Sequence, residues 1–240
     1  MRFIDTHIHI TDFAKDKQIS LIKDLKNTFA KIVCVSSKTS DWPNVAKLAT
    51  ENPDFIIPAF GLHPWYMNEA ADNWENELEK YLKVFPNAWV GECGLDTLKA
   101  DNIEKQIKVF VTQLKMASLY KRPLNVHLLR AEKQMQSVLK NFPTRIMFHS
   151  FSENVPFMQQ ILSQGGYISL SKSVLKRKFF LEIIQNIPLN RLLSESDAPF
   201  MSSPFDIPDL LKEVAKIKRI DINDLTSIIN QNFEELCNVG

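Results

Sequence analysis

The stretch Phe3-Ile4-Asp5-Thr6-His7-Ile8-His9-Ile10-Thr11 is an apolar-rich run with no glycine in it or directly after it. A doubly wound α/β sheet usually carries a glycine-rich phosphate loop directly after its first strand. Here that place holds His7, Ile8 and His9. Residues two apart on a strand project to the same side, so both imidazoles face one way.

Working outward, short apolar runs alternate with longer amphipathic ones. Strands are expected at 3–7, 32–36, 55–60, 88–92, 124–127, 145–149, 167–169 and 191–195. Helices are expected between them at 18–29, 43–51, 73–84, 103–120, 131–142, 155–164 and 178–186, with two more at 207–218 and 222–237. The segment 103–120 shows the pattern best. Ile103, Ile107, Phe110, Val111, Leu114 and Ala117 make one apolar stripe, with Asp101 or Asn102 available as a cap. Pro53, Pro86, Pro123, Pro143 and Pro188 each precede an expected strand and end the helix before it. Strands joined by single helices pair in parallel through right-handed crossovers. Eight such units close most simply into a (β/α)8 TIM barrel, an α/β fold, with the open doubly wound sheet as the alternative.

The length of 240 residues suits one such barrel, read here as a single domain over 1–240. The composition, 45% hydrophobic and 24% charged, is that of a globular chain. No apolar stretch is long enough to span a bilayer, and the first residues lack the pattern of a signal peptide. A cytoplasmic protein with no membrane partner is therefore expected. Three scattered cysteines, Cys34, Cys93 and Cys237, argue against a disulfide framework or a structural zinc site. A net charge of +1 gives no global case for binding a polyanion, so any such binding rests on a local patch or on bound metal.

In a barrel of this kind the active site forms at the C-terminal ends of the strands. All five histidines, His7, His9, His63, His127 and His149, fall at or just beyond an expected strand end. So do Glu92, in Gly91-Glu92-Cys93-Gly94-Leu95-Asp96, and Asp197, in Glu195-Ser196-Asp197-Ala198-Pro199. Each has a bland reading: a packed core histidine, a salt-bridged Glu92, a helix-capping Asp197. Their shared position favours a common site instead. Strand eight neighbours strand one in a closed barrel, so Asp197 falls beside His7 and His9. Two donor sets result: His7, His9, Glu92 and Asp197 for one divalent cation, and Glu92, His127 and His149 for a second. Neutral imidazoles with carboxylates suit zinc, manganese, cobalt or iron(II) better than calcium. Paired cations polarise a substrate oxygen and acidify a shared water, so a phosphodiester or an amide could be hydrolysed at neutral pH. In this scheme Asp197 and Glu92 are the catalytic carboxylates. Glu195 is a candidate partner of the ligands.

His63 fits neither set tightly and reads as a ligand or as a contact to substrate phosphate. Trp65 is either a packing residue or a platform for a base at the rim. Lys172, in Lys172-Ser173-Val174-Leu175-Lys176-Arg177-Lys178, belongs to a solvated helix start or to a phosphate-binding patch. Gly91 and Gly94 let the backbone crowd the site, although a turn explains Gly94 equally well. Cys93 is expected to face the helix layer, and Trp42, Trp74 and Trp89 to pack.

This ordered set resembles the TatD family of metal-dependent deoxyribonucleases within the amidohydrolase-like barrels. The matching pieces run from Phe3–His9 through Gly61-Leu62-His63-Pro64, the Gly91–Asp96 stretch, His127 and His149-Ser150-Phe151-Ser152 to Glu195–Pro199. Asn232, in Asn230-Gln231-Asn232-Phe233-Glu234-Glu235-Leu236, is similar to the asparagine motif near the family's C-terminus. The resemblance implies a (β/α)8 barrel and two divalent metal ions, with zinc, magnesium, manganese and cobalt as candidates. It implies metal ligation by His7, His9, Glu92, His127, His149 and Asp197, with His63 near substrate phosphate. The activity implied is hydrolysis of DNA phosphodiester bonds, 3′–5′ exonuclease-like, by attack of a metal-bound hydroxide. The chain departs from the family at Leu129, where an arginine is common, at Glu153, where glycine is usual, and over 97–100. These departures touch the substrate rim and not the metal set. Two other readings stay open: an amidohydrolase cutting a C–N bond, and a metal-binding barrel without turnover.

Overall fold

The structure is a computed structural model and describes residues 2–99, 101–140 and 145–238. Strand β1 (Phe3–Ile8) pairs in parallel with β2 (Phe29–Val35), β2 with β3 (Ile56–Phe60), and β3 with β4 (Trp89–Asp96). The series continues through β5 (Leu124–Leu129), β6 (Ile146–Phe148), β7 (Tyr167–Leu170) and β8 (Leu192–Ser194), so spatial order equals chain order. Eight parallel strands with alternating helices form a nearly closed (β/α)8 barrel.

The last gap is bridged beyond the end of β8. His9 N donates to Ala198 O at 2.9 Å, and Asp197 N donates to His7 O at 2.9 Å. This ladder carries Asp197 to the two histidines of β1. Asp197 adopts a left-handed backbone (φ 52°), a conformation that a short polar side chain tolerates.

The helices are α1 (Lys15–Thr28), α2 (Trp42–Glu51), α3 (Trp74–Val84), α4 (Ile103–Leu119), α5 (Glu132–Leu139), α6 (Val155–Ser163), α7 (Phe180–Asn186), α8 (Ile207–Lys218) and α9 (Ile222–Cys237). Each expected helix has its counterpart. Asn102, and not Asp101, caps α4, its side chain accepting from Lys105 N at 3.0 Å. The end of the helix expected at 131–142, with Pro143, lies outside the described residues, as does Ala100.

Two boundaries differ in an instructive way. Phe29 was expected to end a helix and instead begins β2. It is fully buried opposite Phe3, the rings 6.3 Å apart, and pairing at the base of the barrel outweighs helix continuation. Strand β4 continues past Glu92 to Asp96, so Gly94 lies within a strand and not in a turn. A Cβ on Gly94 would stand 1.8 Å from the carbonyl oxygen of His127, so only glycine lets β5 come so close.

Trp42 and Trp89 are buried in the core, and Trp74 packs against it. Trp42 Nε1 donates to Gly61 O at 3.0 Å and so ties α2 to the turn that carries His63. Asn232 Nδ2 donates to Leu189 O (2.7 Å) and Leu192 O (2.8 Å), fastening α9 to the start of β8. The expected asparagine motif thus braces the fold, away from the strand ends that hold the histidines. No helix among the described residues is long and apolar enough to cross a membrane.

Candidate metal centre

Strand alternation brings the side chains inward at the C-terminal ends of the strands. His7 is in β1 and His9 just beyond it. Glu92 and Asp96, four apart, share one face of β4. Asn125 and His127, two apart, share one face of β5. His63, His149 and Asp197 follow β3, β6 and β8. All seven sequence-derived candidates, His7, His9, His63, Glu92, His127, His149 and Asp197, meet in one buried cluster.

Glu92 is its centre, and its two oxygens face different groups. Oε2 lies 3.6 Å from His7 Nε2 and 3.4 Å from His9 Nε2. Those two nitrogens stand 3.7 and 3.6 Å from Asp197 Oδ1 and 2.9 Å from each other. Oε1 lies 2.9 Å from His149 Nε2, 3.1 Å from His127 Nδ1 and 3.3 Å from His63 Nε2. Donors bound to one tetrahedral ion at about 2.1 Å stand about 3.4 Å apart. The observed spacings bracket that value. His7, His9 and Asp197 form one group able to hold an ion, and His63, Glu92 and His127 another.

The outward-facing ring nitrogens sharpen this. His7 Nδ1 lies 3.0 Å from Asn125 Oδ1. His9 Nδ1 faces Ser37 Oγ (3.4 Å) and Asp12 Oδ2 (3.7 Å). His127 Nε2 faces Asp96 Oδ2 at 3.3 Å. His149 Nδ1 stands 3.4 Å from Glu195 Oε1 without completing a hydrogen bond, and the buried Glu195 Oε2 also lacks one. Four histidines therefore turn one nitrogen to an oxygen acceptor and leave the other for the cluster. That arrangement fixes the tautomer and ring orientation of a metal-binding histidine. The donor set fits a divalent cation.

His63 is wired the other way. Its Nδ1 accepts from Trp65 N at 3.1 Å, so its neutral ring carries the proton on Nε2. Burial pushes His63 down to about 4, so the ring is neutral. In this tautomer Nε2 donates instead of ligating, which sets His63 apart from the other four although it lies within reach of an ion at Glu92 and His127.

Burial works against charge on Glu92, but His63, His149 and His127 outweigh it and hold the carboxyl well below its usual range. Burial raises Asp197, partly offset by His7, His149 and His9. Burial favours a neutral Asp96 as well, yet hydrogen bonds from His127, Trp65 and the Lys99 and Leu98 N–H groups keep it ionised.

The other candidates lie apart from the cluster. Trp65 is 41% exposed at the rim, and its Nε1 donates to Asp96 Oδ2 at 2.6 Å. Lys172 directs Nζ at Asp206 Oδ1 (2.8 Å) and Asp209 Oδ2 (3.5 Å), away from the histidines. Cys93 is buried in the core, and burial drives its thiol far above the usual range. Asn125 and Asp96 are the functional residues that the sequence reading missed. Even spacing from His127 and from Glu92 is the signal that points to them.

The comparisons agree with this geometry. A family model described as TatD related DNase matches residues 4–238. The chain belongs to the TatD family. A crystal structure of YjjV, a TatD homolog from Escherichia coli, superposes with a TM-score of 0.90 at 26% identity, covering 100% of this chain and 99% of that one. The 3′–5′ ssDNA/RNA exonuclease TatD of Erwinia tasmaniensis is 23% identical over 98% of this chain and 99% of its own length. Deoxyribonuclease TATDN3 of Homo sapiens is 22% identical over 97% and 93%. As a TatD family member the chain is a metal-dependent hydrolase. Leu129 and Glu153, where the sequence suggested departures from the family, are half-buried, and 97–99 are exposed.

Proposed function

We propose that this TatD protein hydrolyses DNA phosphodiester bonds from the 3′ end, using two divalent cations that the donor sets on either side of Glu92 would hold. One observation carries the reading: the two oxygens of Glu92 face separate donor sets, His7, His9 and Asp197 on one side and His127 and His149 on the other. A single carboxylate with histidines on both oxygens suits a pair of ions better than one. Zinc, magnesium, manganese and cobalt are the candidates.

When bound, the cations supply Lewis acidity toward the phosphoryl oxygen and toward the attacking water. The chain's own residues do the rest. Asp197, beside His7 and His9, orients that water and receives its proton. Glu92 keeps the two donor sets together through the reaction. His63 presents Nε2–H to a non-bridging phosphate oxygen, where it stabilises developing negative charge. Trp65 offers an exposed indole face to a base next to the scissile phosphate. Lys172 contributes to phosphate binding by exchanging Asp206 for the substrate.

The three cysteines are unpaired, which accords with a reducing cytoplasm. DNA is the partner in this reading. The test is an assay on 3′- and 5′-labelled single- and double-stranded DNA, run with each candidate metal and with Asp197→Asn. Metal-dependent loss of the 3′ label, lowered about 100-fold or more in the variant, is expected. No release with any metal, or release that Asp197→Asn leaves intact, would overturn the reading.

A further inference from the structure

We infer that Trp65 is a positioning residue for His127, acting through the carboxylate of Asp96. The inference rests on the reading of His127 as a metal ligand through Nδ1.

The contacts around Asp96 support a relay. Its Oδ1 accepts from the backbone N–H groups of Leu98 (2.8 Å) and Lys99 (2.9 Å). Its Oδ2 accepts from Trp65 Nε1 at 2.6 Å and stands 3.3 Å from His127 Nε2. The two backbone donors pin one oxygen to the turn after β4. The orientation of the other is then set by the indole on one side and the imidazole on the other. An indole nitrogen can only donate, so it occupies one lone-pair direction of Oδ2 and leaves the remaining one to His127. With the Nε2 edge of His127 so engaged, Nδ1 is the nitrogen turned to the cluster, 3.1 Å from Glu92 Oε1 and 3.2 Å from His149 Nε2.

The indole is itself held in place. Lys99 Nζ lies 4.6 Å above its ring, and His63 meets it edge-on at 4.9 Å. Its backbone N–H also donates to His63 Nδ1. One residue therefore touches two neighbouring histidines in different ways. Its backbone N–H directs the His63 proton toward the cluster, and its side chain, through Asp96, holds the Nε2 edge of His127 away from it. Because the indole is also exposed, a substrate group resting on its face touches the same rigid ring that supports Asp96.

The test uses Trp65→Phe in the full chain. This variant keeps an aromatic ring and the backbone N–H, and so the His63 tautomer, and deletes Nε1–H with the five-membered ring that carries it. Asp96→Asn serves as the stronger perturbation. The first readout is the His127 Nε2–H resonance and its exchange with solvent, by 1H–15N correlation in zinc-loaded protein. The second is titration with Mn²⁺ and Co²⁺ alone. Wild type is expected to show a protected Nε2–H and two binding events. Trp65→Phe is expected to speed exchange of that proton and weaken one event about 10-fold while sparing the other, and Asp96→Asn to weaken it about 100-fold. An unchanged exchange rate and unchanged affinities in Trp65→Phe would overturn the inference. Failure of wild type to bind a second ion would count against the two-metal reading alone. The exchange arm would still decide the role of Trp65.

Discussion

Nδ1 of His7 lies 3.0 Å from Oδ1 of Asn125, across a barrel interior that separates the two by 118 residues of chain. Asn125 Nδ2 donates to Thr6 O at 3.3 Å, so its Oδ1 is free to accept and His7 must donate from Nδ1. Nε2 of His7 is then the nitrogen turned to Glu92, Asp197 and His9. Asn125→Ala removes the acceptor and lets His7 populate the other tautomer. Metal affinity at the site of His7, His9 and Asp197 should fall about 10- to 100-fold. Competition with a chromophoric chelator measures this. An affinity within twofold of wild type would show that Asn125 serves packing alone.

The wiring of His63 separates it from the ligands in a way that can be measured. Its Nδ1 accepts from Trp65 N, and its Nε2 carries a proton toward Glu92 Oε1. His63→Ala should keep the full metal complement by elemental analysis and lower the hydrolytic rate about 100-fold, as expected when one donor to developing charge is lost. Loss of a metal ion from this variant would place His63 among the ligands instead.

The fold and the donor cluster were legible because strand periodicity makes them so. The His7/His9 spacing, the histidines at strand ends and the position of Asp197 beside β1 all follow from parallel pairing in chain order. The supporting residues were less visible. Asn125 and Asp96 are polar residues inside strands, and what marks them is a partner on another strand, which a linear pattern does not display. Lys172 shows the same limit. Its ion pair with Asp206, distant in sequence, does not show in the basic run around it. For Gly94 the sequence left close approach and a turn equally open because the deciding group is external: the carbonyl of His127 fills the space that a Cβ would need.

Metal removal should affect stability as well as activity. Five imidazoles and two carboxylates crowd one buried volume, and His7 Nε2 and His9 Nε2 stand 2.9 Å apart. Cations that bind only the folded chain stabilise it by about 4 kcal/mol at a thousandfold excess over the dissociation constant. For a chain of this size that corresponds to a Tm lower by about 10 °C after chelation. Calorimetry before and after chelator treatment tests this, with recovery on adding metal back. A Tm indifferent to chelation would mean that the cluster is preformed and gains nothing from an ion.

Glu153 gives a pH dependence independent of the metal cluster. Burial pushes its carboxyl up to about 7, with the hydrogen bond and charge of Glu132 adding to the rise, while the Arg130 backbone and Arg177 oppose it. Arg177, Lys178 and Glu182 line the same cavity of about 480 Å³ with the two acids. The ordinary value is 4.5, so between about 4.5 and 7 the folded chain holds a proton that the unfolded chain has released. The stability linked to that proton is whole below about 4.5 and lost as pH rises through about 7. Glu153→Gln mimics the protonated acid at every pH. Because the side chain is half-buried, solvent screening limits the gain to about 1 kcal/mol, or a Tm higher by about 2–4 °C, at pH 8. At pH 4 the variant and wild type should melt together. An equal shift at both pH values would show that the substitution acts through packing and not through the proton shared with Glu132.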